Sequence, residues 1–130
     1  MYEIKVDKEN RRILVSWGSS VTGEGLMTYQ REVWNDSEIH GFDELLDFRA
    51  LEDIQITAGA LASVANLAAK MDTGEEFSEK PRTAIVVQGE LAYGLSRMYE
   101  SLREYQTTAG REVMVFKSMD QAVDWLNEPH

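Results

Sequence analysis

Val113-Met114-Val115-Phe116, followed by Ser118-Met119-Asp120-Gln121, is the stretch on which the fold turns. The four apolar residues make a short strand. Ser118 stands three places ahead of Gln121, the spacing of a capping box, and the helix it opens carries Val123, Trp125 and Leu126. The same strand-then-helix unit recurs upstream. Ala84-Ile85-Val86-Val87 is the contiguous apolar run of a strand buried on both faces, as in a parallel sheet covered by helices. After Gln88-Gly89, a helix from Glu90 to Tyr105 shows an apolar stripe of Leu91, Leu95, Met98, Leu102 and Tyr105. Gly94 lies at the edge of that stripe; glycine inside a helix costs about 1 kcal/mol relative to alanine, which predicts close helix-to-strand packing there.

Leu45-Leu46-Asp47-Phe48 reads as another strand, joined by a short connector to Thr57, the N-cap of a helix from Ala58 to about Met71. Leu61, Val64, Ala65, Leu67, Ala68 and Met71 occupy one broad side of it, leaving Ser63, Asn66 and Lys70 as a narrow polar strip. So apolar a helix is either packed deep in its own domain or covered by another chain, which raises a homodimer through helix 58–71. At the start of the chain, Tyr2, Ile4 and Val6 alternate with polar residues, Lys8 to Arg11 break the pattern, and Ile13, Val15 and Trp17 alternate again, a hairpin with one wet face. Thr22 caps a helix to about Asn35 whose inner side is Leu26, Met27, Tyr29, Val33 and Trp34. The element order is ββαβαβαβα: an α/β fold with a single-layer mixed β-sheet, an N-terminal hairpin then parallel strands, and four helices, joined by right-handed crossovers. The strand order is left open. The loop Asp72–Pro81 is too short to link domains, so residues 1–130 are expected to form one.

The chain has 130 residues, 43% of them hydrophobic, enough for a single core. Thirteen Lys and Arg stand against 23 Asp and Glu, for a net charge of −10 and a pI near 4.6. That balance opposes nucleic acid and anionic membrane surfaces, whose binding rests on cationic side chains. There is no Cys, which removes disulfides and thiolate chemistry. No apolar run is long enough to span a bilayer and the first residues carry no targeting pattern, so a cytoplasmic location is expected.

The chemistry is sparse. Gly18-Ser19-Ser20-Val21-Thr22-Gly23-Glu24-Gly25 lies where a phosphate loop would, but Glu24 takes the place of the required Lys and would repel phosphate. A plain turn with a Thr22 cap is the simpler reading. His40 and His130 are the only imidazoles, too few for a metal site, so no metal and no cofactor are expected. Asp43, Glu44, Asp47, Glu52 and Asp53 are numerous enough to do acid–base work, a hydrolase alternative that requires a raised carboxyl pKa at Asp47 or Asp53. Asp47 interrupts an apolar strand, so it either faces water or makes a buried hydrogen bond that fixes the following loop. Ligands on such sheets lie beyond the carboxyl ends of the strands. That rim places Arg49, Thr57, Gly89 and Lys117 together, with Tyr93 and Arg97 on the polar side of the next helix as aromatic and cationic anchors for a partner. No catalytic residue is assigned.

Two stretches resemble a known family. Leu46-Asp47-Phe48-Arg49-Ala50-Leu51-Glu52-Asp53-Ile54 ahead of a helix, and Ala92-Tyr93-Gly94-Leu95-Ser96-Arg97-Met98-Tyr99 with the ending Val115 to Leu126, are similar to the small SpoIIAA-like proteins of bacteria, related in fold to STAS domains. The likeness covers nearly the whole chain. It implies a non-enzymatic regulatory or protein-interaction module. STAS antagonists carry a phosphorylated Ser in an Asp-Ser-Ser-Gly motif; laid on this chain from Asp47, that motif meets Gln55, Ile56, Thr57 and Ala58, so Thr57 is the possible phosphoacceptor, against its simpler role as an N-cap hydroxyl. SpoIIAA-like proteins are also compared with SEC14-type lipid-binding domains. That likeness implies a small apolar-ligand carrier with a pocket under helix 90–105, although 130 residues leave little room for an acyl chain.

Overall fold

The computed structural model describes residues 1–72, 80–106 and 110–129. Most of the loop expected over Asp72–Pro81, the segment Thr107 to Ala109 and His130 lie outside the described residues. The elements run β1 (Tyr2–Asp7), β2 (Arg12–Trp17), β3 (Ser20–Thr22), α1 (Gly23–Val33), β4 (Asp43–Asp47), β5 (Asp53–Gln55), α2 (Ala58–Asp72), β6 (Arg82–Val86), α3 (Glu90–Glu104), β7 (Glu112–Phe116) and α4 (Met119–Asn127).

Five strands form one sheet in the order β1-β2-β4-β6-β7. The hairpin β1–β2 is antiparallel and every other pair is parallel, as the alternation of strand and helix requires. Alternate residues of each strand divide the core. Ile13, Val15, Leu46, Ile85, Val113 and Val115 pack towards Tyr29 and Val33 of α1 and Ala92 of α3. Leu45, Ala84 and Val86 pack on the other face against Ala122 and Leu126 of α4. Helix α4 is tied down at both ends. The Ser118 hydroxyl accepts from the Gln121 amide at 3.3 Å, and Arg82 Nη1 donates to the Trp125 carbonyl at 2.7 Å while its guanidinium lies over the Trp125 ring. No helix among the described residues is long and apolar enough to cross a membrane.

Three features differ from the sequence reading. First, β3 and β5 add a separate two-stranded parallel sheet. Neither three-residue piece is long enough to announce itself by alternation; each exists because Ser19 O receives the amides of Glu52 and Asp53 at 2.7 and 2.9 Å, which draws the two connectors together.

Second, the buried side of α3 is not its apolar stripe. Ala92, Glu100 and Arg103 are buried, whereas Leu91 is 64% and Met98 42% exposed, and Tyr105 is exposed almost fully. The cause is β7, an edge strand: its Val115 amide points away from β6 and needs an acceptor, and the Glu100 carboxylate supplies one at 2.9 Å. The resulting rotation turns Glu100 inward and leaves Leu91 and Met98 outside, while Leu95 and Leu102 stay half-buried. Third, Gly94 is exposed, with nothing within 4 Å of where a Cβ would stand. The close approach is elsewhere, between Gly23 of α1 and Ala60 of α2, where an added Cβ would lie 2.6 Å from the alanine Cβ.

Helix α2 buries Leu61, Val64, Ala65 and Ala68 within the chain and exposes Ser63, Asn66 and Lys70. It packs against α1 on one side and α3 on the other.

Candidate functional site

Under that helix layer lies a cavity of about 70 Å³. Leu46 and Ile85 of the sheet form its base, Leu61 and Val64 of α2 its roof, and Leu95 and Tyr99 of α3 one wall. Val21 and Ile54, the central residues of β3 and β5, close the end beyond the strand carboxyl termini. The small second sheet is therefore a lid over one end of the hollow. The volume is about half that of an engineered cavity that takes up benzene, and far from the room an acyl chain needs. The hollow lies beneath α2 with α3 as one wall, not under helix 90–105 alone.

The other end is polar. Glu44, only 2% exposed, lines the cavity and is held by three donors: the Tyr29 hydroxyl, Trp34 Nε1 at 3.3 Å and the Thr83 hydroxyl at 2.8 Å. The first two reach Oε2 and the third Oε1. A carboxylate offers about four acceptor positions, so among the described residues one position on Oε1 stays open. Burial, reinforced by the negative charge of Glu44, pushes the Tyr29 hydroxyl well above its ordinary pKa, which keeps it a donor. Behind the network, the Arg111 guanidinium lies over the Trp34 ring at 4.4 Å and donates to the Phe42 carbonyl at 2.8 Å. It supplies positive charge without contacting the carboxylate.

Sequence reasoning named Glu44 only as one acidic residue among several. The missed signal is its parity: Glu44, Leu46 and Phe48 share a face of the chain, so the carboxylate must point under the helices with them, and the register sets Thr83 directly beside it.

The rim residues fare differently. Arg49, Thr57, Gly89, Tyr93 and Lys117 do lie at the carboxyl end of the strands, but the side chains of Arg49, Thr57, Tyr93 and Lys117 are engaged within the chain. Arg49 folds back on Asp47 through two bonds of 2.9 Å, and its amide donates to the same carboxylate at 3.0 Å. The bonds fix the loop after β4, but they are exposed rather than buried as the sequence reading expected. They hold the Asp47 carboxyl below the usual carboxylate range, the opposite of what acid–base catalysis there requires. The Thr57 hydroxyl accepts from the Ala60 amide at 3.0 Å, the N-cap role. Gly89 opens α3 with φ +92, a conformation only glycine adopts without strain. The Tyr93 ring is half-buried and receives Lys117 Nζ at 4.4 Å.

Arg97 is not part of that group. It pairs with Glu100 at 3.4 Å and borders a separate, more polar hollow of about 420 Å³ between α3 and β7. The glycine-rich turn after β2 is a cap, with Thr22 Oγ1 accepting from the Gly25 amide at 2.9 Å. His40 is half-buried. No group of three or more His, Asp or Glu among the described residues is placed to hold a metal ion. No family model, no curated protein and no solved structure matches this chain, and the cavity with its buried carboxylate is the arrangement from which a function can be argued.

Proposed function

We propose that this protein is a non-enzymatic regulatory binding module of SpoIIAA-like or STAS-like type, and that the event it responds to is the entry of a small apolar molecule bearing one hydrogen-bond donor. The carrying observation is the cavity itself, apolar on its walls and ending at a buried carboxylate with an open acceptor position. Most of the gain from such a ligand comes from apolar surface leaving water; its hydroxyl or ammonium would fill the vacant position on Glu44, so a small alcohol or amine fits better than a hydrocarbon or a fatty acid. A carboxylate ligand would meet Glu44 with like charge. The engagement of Asp47 as an anion by Arg49 supports a binding role over an acid–base one.

Methyl NMR titration with isobutanol, isobutylamine and isopentane as probes tests this. Saturable shifts at Leu46, Leu61, Val64 and Ile85 are expected with the alcohol and amine, at about millimolar Kd for ligands so small. Filling the hollow with Ser96→Leu should abolish them. Shifts that stay linear and scattered over the surface would refute the reading.

A second reading, a protein partner on α3, is favoured by the exposed Leu91 and Met98, which share one face of that helix. A partner captured by the wild type and lost in Leu91→Glu, in a protein that still melts normally, would support it.

A further inference from the structure

The two edges of the main sheet are unlike. The β7 edge is closed by α3, whose Glu100 occupies the outward amide of Val115. The β1 edge packs on β2, and among the described residues Tyr2 is the one of its side chains that bonds to a helix, its hydroxyl donating to Glu32 of α1 at 3.0 Å. Ile4 and Val6, although on the helix-covered face, are 39% and 41% exposed.

The direction of the free backbone groups follows from the register. Gly18 N donates to Met1 O at 2.8 Å, one step beyond the Tyr2–Trp17 pair, so the odd residues of β1 point their amides and carbonyls at β2. Those of Tyr2, Ile4 and Val6 therefore point away from the sheet. Exposed edges are usually blunted by proline, bulges or unmatched charge. β1 has an unbroken Tyr-Glu-Ile-Lys-Val alternation.

We infer that β1 pairs antiparallel with β1 of a second copy, about a two-fold axis through Ile4 and perpendicular to the sheet. In that register Ile4 faces Ile4, Tyr2 faces Val6, and Glu3 faces Lys5 in both directions. The three even positions are the ones whose backbone groups are turned outward, so they form the hydrogen-bonded pairs. Glu3 and Lys5 fall in the closer, non-hydrogen-bonded pairs, where opposite charges attract across strands. A parallel in-register pairing sets Lys5 against Lys5, and shifting the axis to Val6 leaves only residues 5–7 of β1 paired, with Glu3 set against Glu9 beyond the strand. The axis at Ile4 pairs residues 2–6 with both charge pairs matched, and it covers Ile4 and Val6. No residue of β1 lines the cavity, so this inference does not rest on the proposed ligand.

Sedimentation equilibrium near 0.15 M salt is the test, because each chain carries a net −10 that must be screened. The wild type should dimerise below about 1 mM, a weak association suited to one strand pair. Lys5→Glu should raise the dissociation constant about tenfold or more by turning both attractive pairs repulsive. The swap Glu3→Lys with Lys5→Glu should restore it. Ile4→Pro should give a monomer with the wild-type circular dichroism spectrum, since the amide it removes faces outward; if that variant does not fold, the charge series on exposed Glu3 and Lys5 decides. A wild type that stays monomeric to about 1 mM, a dimer indifferent to Lys5→Glu, or a swap that fails to recover it would each overturn the inference.

Discussion

Replacing Glu44 by leucine takes away the acceptor shared by the Tyr29 hydroxyl, Trp34 Nε1 and the Thr83 hydroxyl while leaving all three donors under the helix layer. A buried donor left unpaired costs about 1–3 kcal/mol. The Trp34 bond is long at 3.3 Å and adds little, so the loss comes mainly from Tyr29 and Thr83, about 2–6 kcal/mol. Relief of the carboxylate's own desolvation works the other way, and removing one partner of a buried charged network still costs about 3–5 kcal/mol in comparable cases. A net loss of about 3 kcal/mol is expected. At about 2.1 cal/mol/K per residue of unfolding entropy, it lowers Tm by about 10 °C. Glu44→Gln keeps one acceptor oxygen and should lose about 1 kcal/mol. Urea unfolding followed by tryptophan fluorescence reads both. Thr83→Val should cost less in the Glu44→Leu background than alone, with about 1 kcal/mol or more of coupling. A Glu44→Leu protein as stable as the wild type would show that the carboxylate's desolvation outweighs its bonds, and the account of this network would fail.

Gly23→Ala drives a Cβ to within 2.6 Å of Ala60 and should cost about 1–3 kcal/mol by overpacking; adding Ala60→Gly should recover most of it in the same unfolding assay. Gly94→Ala, on an open helix surface, should stabilise by about 1 kcal/mol, visible as a higher Tm. Asp47→Asn should cost under about 1 kcal/mol at neutral pH, since Arg49 is largely exposed and screened. Because the folded Asp47 pKa is depressed below the ordinary value of an aspartate, that contribution is complete above the ordinary value and fades as the pH falls through the folded pKa. Stability curves of the two proteins should therefore converge in acid and nowhere else.

Local pattern in the chain determined the elements and their type. The both-faces-buried run Ala84 to Val87, the alternation of the hairpin and the caps at Thr22, Thr57 and Ser118 each reflect a rule acting within a few residues: side-chain period, or a hydroxyl finding a nearby amide. Asp47 was readable for the same reason, its partner Arg49 being two residues away. What escaped the sequence is every feature whose cause lies far along the chain. The β3–β5 lid exists because Ser19 meets Glu52 and Asp53. Helix α3 leaves Leu91 and Met98 outside and buries Glu100 because Val115, fifteen residues on from Glu100, needs an acceptor. The cavity ends at Glu44 because Thr83, 39 residues later, lies beside it. Periodicity assigns a face to an element, but which face is covered, and by what, is settled only when strands from distant parts of the chain take their register and their unpaired polar groups find partners.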